Sequence, residues 1–164
     1  MPPKHAVILL AGMGTRLKPL TEQTHKCLIQ IAGKTILQRQ LEQLKEHGIK
    51  QFHLALGYRA QDIQDHVAKL KDLASQCHFY DNERYDETNN AYSLGLIIEN
   101  LDESFLLLDG DLILEDEVLK ILLQSDSDSA MLCDDTLKLD DEAMKAHIND
   151  EKHIIQLSKE LKIE

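Results

Sequence analysis

Residues 6–10 form a short, entirely apolar run that leads into glycine-rich sequence, the pattern of a parallel strand buried on both faces. From Thr35 onward, Leu37, Leu41 and Leu44 recur at helical spacing, and Gly48 supplies a C-terminal stop. A strand is expected around 52–56, then a helix carrying Ile63, Val67 and Leu70 on one face. A short strand at 78–80, an apolar helix over about 91–98 and a buried strand at 105–108 follow. A helix with Val118, Leu119 and Leu122 comes next, and residues 130–133 have the pattern of one more strand. This alternation predicts an α/β protein with three layers, α/β/α, around a mostly parallel sheet. Ligands of such sheets sit at the carboxyl ends of the strands. After Asp134 the pattern changes: 144–148 and 153–157 predict a small β-hairpin joined by the polar turn Asn149-Asp150-Glu151-Lys152.

A length of 164 residues allows one domain with a real core. The formal net charge of -11, with no basic stripe, excludes nonspecific nucleic-acid binding. It leaves room for a small anion, which a few local cations and backbone N–H groups can hold. Cys27, Cys77 and Cys133 are odd in number and lack metal-type spacing, which fits reduced thiols in a cytoplasmic protein. The apolar opening is too short for a signal peptide or a membrane span, so no membrane insertion is expected.

Directly after the first strand stands Ala11-Gly12-Met13-Gly14-Thr15-Arg16-Leu17. Two glycines allow the backbone to turn tightly and bring its N–H groups close to phosphate oxygens. Arg16 adds a planar, permanently charged donor, and Lys26 a mobile point charge nearby. A Gly-x-Gly alone is more often a plain turn, so context has to carry the assignment. Two other phosphate motifs fail. The dinucleotide fingerprint wants a third glycine where Leu17 stands, and Gly33-Lys34-Thr35 lacks the earlier P-loop glycine, that position being Leu28.

Leu108-Asp109-Gly110-Asp111 ends a buried apolar strand. Two carboxylates there are costly unless they are solvated or neutralised by a cation. Magnesium favours a few carboxylates plus phosphate oxygens, so this pair beside a phosphate loop suits a metal–nucleotide complex, although a simple acidic turn has the same composition. The biased stretch 125–129 is expected to be a loop, and its Asp126-Ser127-Asp128 fails the calcium-loop pattern.

Together, AGMGTRLKPLTEQTHKCL and LLDGDL resemble the nucleotidyltransferases that make NDP-sugars and CDP-alcohols. The shared pattern falls on Gly12, Gly14, Arg16, Pro19-Leu20-Thr21, Lys26 and Asp111, with His25 where sugar enzymes usually have proline. The Thr-His-Lys segment, Gly57-Tyr58 and the stretch Tyr85 to Leu94 resemble the phosphocholine and aminoethylphosphonate cytidylyltransferase branch. The resemblance implies a Rossmann-like fold and transfer of NMP, CMP from CTP above all, from a nucleoside triphosphate to a small phosphorylated acceptor with release of pyrophosphate. It implies nucleotide contacts from Ala11, Gly12, Gly14, Thr15, Arg16, Lys26, Gly57, Asn89, Asn90 and Ser93. Arg16 and Lys26 become catalytic, Asp111 a Mg2+ ligand and Asp109 its helper. Asn89 and Asn90 would lie near a pyrimidine, with Ser93 supporting the turn, and Asn89 is equally placed to cap the next helix. Met144-Lys145 and Ser158-Lys159-Glu160-Leu161 resemble the family's later hairpin, which makes Lys159 a further catalytic phosphate contact. None of the eight histidines has ligand spacing.

The whole chain, 1–164, is thus expected to be a nucleotidyltransferase catalytic domain without the C-terminal part of the family fold, because no second metal-binding Asp is found before Glu164. A fragment is the preferred explanation; a partner chain completing the site, as in a homo-oligomer, and lost catalysis are the others. A sugar-1-phosphate nucleotidyltransferase using UTP, dTTP or GTP and a non-catalytic nucleotide-binding module stand as alternatives.

Overall fold

The computed structural model describes residues 2–134, 136, 140 and 143–161. It consists of two compact units, Met1–Gln124 and Ser125–Glu164. The first contains β1 (His5–Leu10), 3-10 turns at Thr15–Leu17 and Lys26–Leu28, β2 (Gln30–Ile31), β3 (Lys34–Thr35) and α1 (Ile36–Glu46). It continues through β4 (Gln51–Leu56), α2 (Ala60–Val67), α3 (Lys71–Ala74), β5 (Cys77–Asp81), α4 (Asn90–Ile98), β6 (Phe105–Asp109) and α5 (Asp116–Leu123). The second unit contains β7 (Lys145–Ile148) and β8 (Ile154–Ser158).

The main sheet has the order β5-β4-β1-β6, and every neighbouring pair is parallel. Both faces are packed, which is why β1 and β4 carry nearly unbroken apolar runs rather than an alternation. Ala6, Ile8 and Leu10 of β1 face one core with Leu37, Leu41 and Leu44 of α1, Ile63 of α2 and Leu119 of α5. Val7 and Leu9 face a second, smaller core with Ala55 of β4 and Ile97 of α4. The chain leaves β1 toward β4 and β5, then returns to the other side of β1 as β6. This reversal makes the carboxyl ends of β1 and β6 a topological switch point, where loops diverge and leave a crevice.

Local signals explain the helix ends. The Thr35 hydroxyl accepts from Gln38 N–H at 3.1 Å and starts α1, as an N-cap should. Past its end, Gly48 takes φ 89°, which a side chain would resist. Lys34 opens the short strand β3 and pairs with Glu42 of α1 at 2.6 Å.

Two sequence expectations need correction, and one element went unpredicted. Residues 130–133 form no strand: Met131 and Leu132 are exposed, and an apolar run without a neighbouring ladder has no partner for its backbone groups. Leu70 is not on the helix of Ile63 and Val67; α2 ends at Val67, and Leu70 precedes the separate short α3 while packing on the same core. The two-residue hairpin β2–β3 had no counterpart in the periodicity because it is too short to show one. The second unit holds the expected antiparallel hairpin, with Lys145 opposite Ser158 and Ala146 opposite Leu157. Asn149 builds its turn by accepting from the N–H groups of Glu151 and His153.

Candidate active site

Beyond the end of β1, the carbonyls of the glycine loop are held from three directions. Tyr58 N–H donates to the Ala11 carbonyl at 3.0 Å. His25 Nε2 lies 3.0 Å from the Gly12 carbonyl, and the Thr21 hydroxyl donates to the Gly14 carbonyl at 2.9 Å. In a trans peptide the C=O of one residue and the N–H of the next point opposite ways. Holding these oxygens therefore turns the N–H groups of Gly12, Met13 and Thr15 the other way, and no hydrogen bond among the described residues uses them. N–H groups left without a protein partner in a glycine-rich turn are available to an anion. The glycines have distinct reasons. Gly14 adopts φ 62°, whereas a Cβ on Gly57 would lie 2.9 Å from the Ala11 carbonyl oxygen and 2.5 Å from Tyr85 Cβ. Gly57 thus lets the end of β4 close against the loop base; nothing in its geometry requires a ligand.

Lys26 opens the second 3-10 turn and reaches across the crevice, its Nζ 2.9 Å from Asp111 Oδ2. Gly110, between the two aspartates, has no room for a side chain: a Cβ would meet Leu10 Cδ2 at 2.1 Å and the Leu9 carbonyl oxygen at 2.9 Å. Its N–H donates to that same Leu9 carbonyl at 3.1 Å, so the acidic turn lies directly on β1. Asp109 is held twice. Gln40 of α1 donates to its backbone carbonyl at 2.9 Å, and Asn90 donates to its carboxylate at 3.2 Å. Asp109 and Asp111 are both exposed, so their remaining oxygens face solvent. No group of three or more His, Cys, Asp or Glu able to hold a metal ion occurs among the described residues. Two exposed carboxylates at one turn still suit a hard divalent cation that takes its other ligands from phosphate and water.

Asn89 caps α4, its Oδ1 accepting from Tyr92 N–H at 3.2 Å. Ser93 is buried, and its hydroxyl accepts from Asn82 Nδ2 at 3.0 Å. Asn82 also donates to the Thr88 hydroxyl and accepts from Arg84 N–H, which folds the 84–93 segment back over the end of β5. Arg16 lies on the exposed 3-10 turn after Gly14. Lys159 belongs to the second unit, where its backbone carbonyl accepts from Lys145 Nζ at 2.6 Å.

The structure therefore brings together Ala11, Gly12, Gly14, Lys26, Gly57, Asn90, Asp109 and Asp111 at the crevice of the first unit. Sequence reasoning missed Asn82 and Gln40, whose importance lies in bonds across more than one element. It also saw no role for His25. That ring is 1% exposed, and its Nδ1 accepts from Cys27 N–H at 3.2 Å and lies 3.0 Å from Cys27 Sγ. The available signal was the His25-x-Cys27 spacing across a 3-10 cap, visible only once the cap is known.

A parallel α/β domain with a glycine loop and a carboxylate pair at its switch point is the architecture of a nucleotide-handling protein. The family model for nucleotidyl transferases matches residues 5–145, and the chain belongs to that family. It is 39% identical over 106 residues to a choline-phosphate cytidylyltransferase of Streptococcus pneumoniae, covering 65% of this chain and 44% of that protein. The solved CTP:phosphocholine cytidylyltransferase from the same organism superposes with a TM-score of 0.56 at 37% identity, over 68% of this chain and 46% of that one. An inositol-1-phosphate CTP transferase from T. maritima shares the fold at a TM-score of 0.77 and 23% identity, over 99% of this chain and 66% of the other. The chain thus spans less than half the length of the Streptococcus relative. No helix among the described residues is long and apolar enough to cross a membrane.

Proposed function

We propose that this chain is the nucleotide-binding part of a cytidylyltransferase that moves CMP from CTP onto a small phosphorylated or phosphonate acceptor, releasing pyrophosphate. The observation that carries the reading is the meeting of the carbonyl-tethered glycine loop and the acidic turn, bridged by Lys26 and Asp111 at 2.9 Å. The N–H groups of the loop, with Arg16, take the β- and γ-phosphates. Lys26 exchanges Asp111 for the α-phosphate when nucleotide enters. Asp111 and Asp109 hold Mg2+, which when bound neutralises phosphate charge. An acceptor phosphate oxygen attacks the α-phosphorus, the bond to the bridging oxygen of pyrophosphate breaks, and pyrophosphate leaves. The acceptor is already an anion, so the site needs no protein nucleophile or general base, and it works by alignment and charge neutralisation.

Asn89 and Asn90, at the start of α4, flank the base in this reading, and buried Ser93 keeps their turn in place through Asn82. The similarity to choline-phosphate cytidylyltransferase supports the choice of CTP and of a phosphorylated acceptor. Cytoplasmic residence belongs to the same reading and agrees with three free cysteines.

The direct test is thermal stabilisation of the chain by CTP, UTP, ATP and GTP, with and without magnesium. A ligand at a hundred times its dissociation constant adds about 2.7 kcal/mol to stability. Magnesium-dependent stabilisation by CTP above the others is the expected result. A preference for UTP or GTP moves the reading to sugar-1-phosphate transfer, and no response to any nucleotide overturns it.

A further inference from the structure

We propose that His25 is a positioning residue for the triphosphate: its Nε2–H tautomer clamps the Gly12 carbonyl and keeps the glycine loop in register with Lys26. The inference rests on the reading of residues 11–16 and Lys26 as the phosphate site.

The two edges of the ring are chemically distinct. Cys27 N–H is an obligate donor and it points at Nδ1, 3.2 Å away, so Nδ1 carries a lone pair. The Cys27 thiol, also beside Nδ1, supplies a second donor; burial pushes its pKa well up, so it keeps its proton. The ring proton therefore resides on Nε2, which faces a carbonyl that can only accept. Burial also pushes the histidine pKa down to about 4, so the ring is neutral at pH 7 and its Nδ1 stays an acceptor. The ring thus spans two segments thirteen residues apart in the chain. One edge caps the turn that starts at Lys26, and the other holds the peptide whose far side is the Met13 N–H. A displaced Gly12 carbonyl would carry that N–H away from the phosphate and away from Lys26 together.

The competing role is that of a plain cap, and two amide substitutions separate them. In His25→Asn the side-chain oxygen replaces Nδ1 and can still cap Cys27, but nothing reaches Gly12. In His25→Gln the terminal amide extends to the Nε2 position and can donate to the Gly12 carbonyl. Titration calorimetry of the full chain with Mg–CTP and with CMP reads the difference. Loss of one aligned donor should weaken CTP about tenfold in His25→Asn, with a clearly smaller effect on CMP, which lacks the outer phosphates. His25→Gln should recover most of the affinity. Equal CTP affinity for His25→Asn and the parent overturns the proposal while leaving the cytidylyltransferase reading intact.

If the parent chain binds no nucleotide, that reading falls, and hydrogen exchange at residues 12–17 still decides the clamp: faster exchange in His25→Asn but not His25→Gln supports it, unchanged exchange removes it. Should both variants fail to fold, nitrogen-15 spectra of histidine in the parent chain serve instead. A proton on Nε2 at pH 7 is required, and one on Nδ1, or a charged ring, ends the proposal.

Discussion

The two halves of the crevice are built on opposite plans. The glycine loop is tethered through its backbone: Tyr58, His25 and Thr21 each hold a carbonyl, and none of these bonds has to break for an anion to approach the outward N–H groups. The acidic turn is tethered partly through its functional groups. Lys26 occupies Asp111 and Asn90 occupies Asp109, so under the proposed reading a phosphate and a cation would exchange these partners. A loop that binds with N–H groups can be held rigid at no cost to its ligand. A carboxylate pair that binds a cation needs an interim counter-charge, and exposed ion pairs are weak enough to give it up, contributing about 0–1 kcal/mol.

The largest expected effect tests that exchange. Lys26→Ala should lower the rate of pyrophosphate release by about a hundredfold or more in the protein that carries this chain, the usual loss for a transition-state donor. Its urea midpoint should barely move, because the pair with Asp111 is partly exposed. Near-parental turnover would reduce Lys26 to a surface partner of Asp111 and break the contrast.

Acid should attack the loop side through His25. Its pKa is pushed down to about 4 by burial, and that of His53, buried in the sheet between His5 and His78, is also lowered to about 4. The unfolded chain takes up these protons near pH 6.5 and the folded one does not, so stability is full above that pH and is lost as it falls toward 4. Each ring should cost about 2 kcal/mol by pH 5. Urea midpoints at pH 7 and pH 5 measure this, and identical values would mean the rings are not held neutral.

A smaller and sharper contrast lies between two glycines. Gly110→Ala forces a methyl against Leu10 and the Leu9 carbonyl and should cost about 1–3 kcal/mol of stability. Gly12→Ala meets nothing within 4 Å and should stay within about 0.5 kcal/mol of the parent. Equal destabilisation by the two would show that the loop is as tightly packed as the turn.

Hydrophobic patterning alone located the four main strands, four of the five α-helices among the described residues and the late hairpin, because strands buried on both faces and helices with one apolar face leave periodic traces in the chain. The same order of elements located the glycine loop and the Asp-Gly-Asp turn at strand ends. Patterning went wrong at 130–133, where an apolar run has no strand beside it, since a strand exists only by pairing.

What the sequence determined by itself was local: which segments bury, where a backbone must turn, where charge sits at the end of an apolar run. Tertiary structure decided the rest. The strand order puts β6 beside β1, and only then do Lys26 and Asp111, 85 residues apart, lie within 2.9 Å. Only the packed crevice turns His25 from an unassigned histidine into the residue that holds Gly12, because a hydrogen bond depends on distance and direction in space, and neither is written in the spacing of residues along the chain.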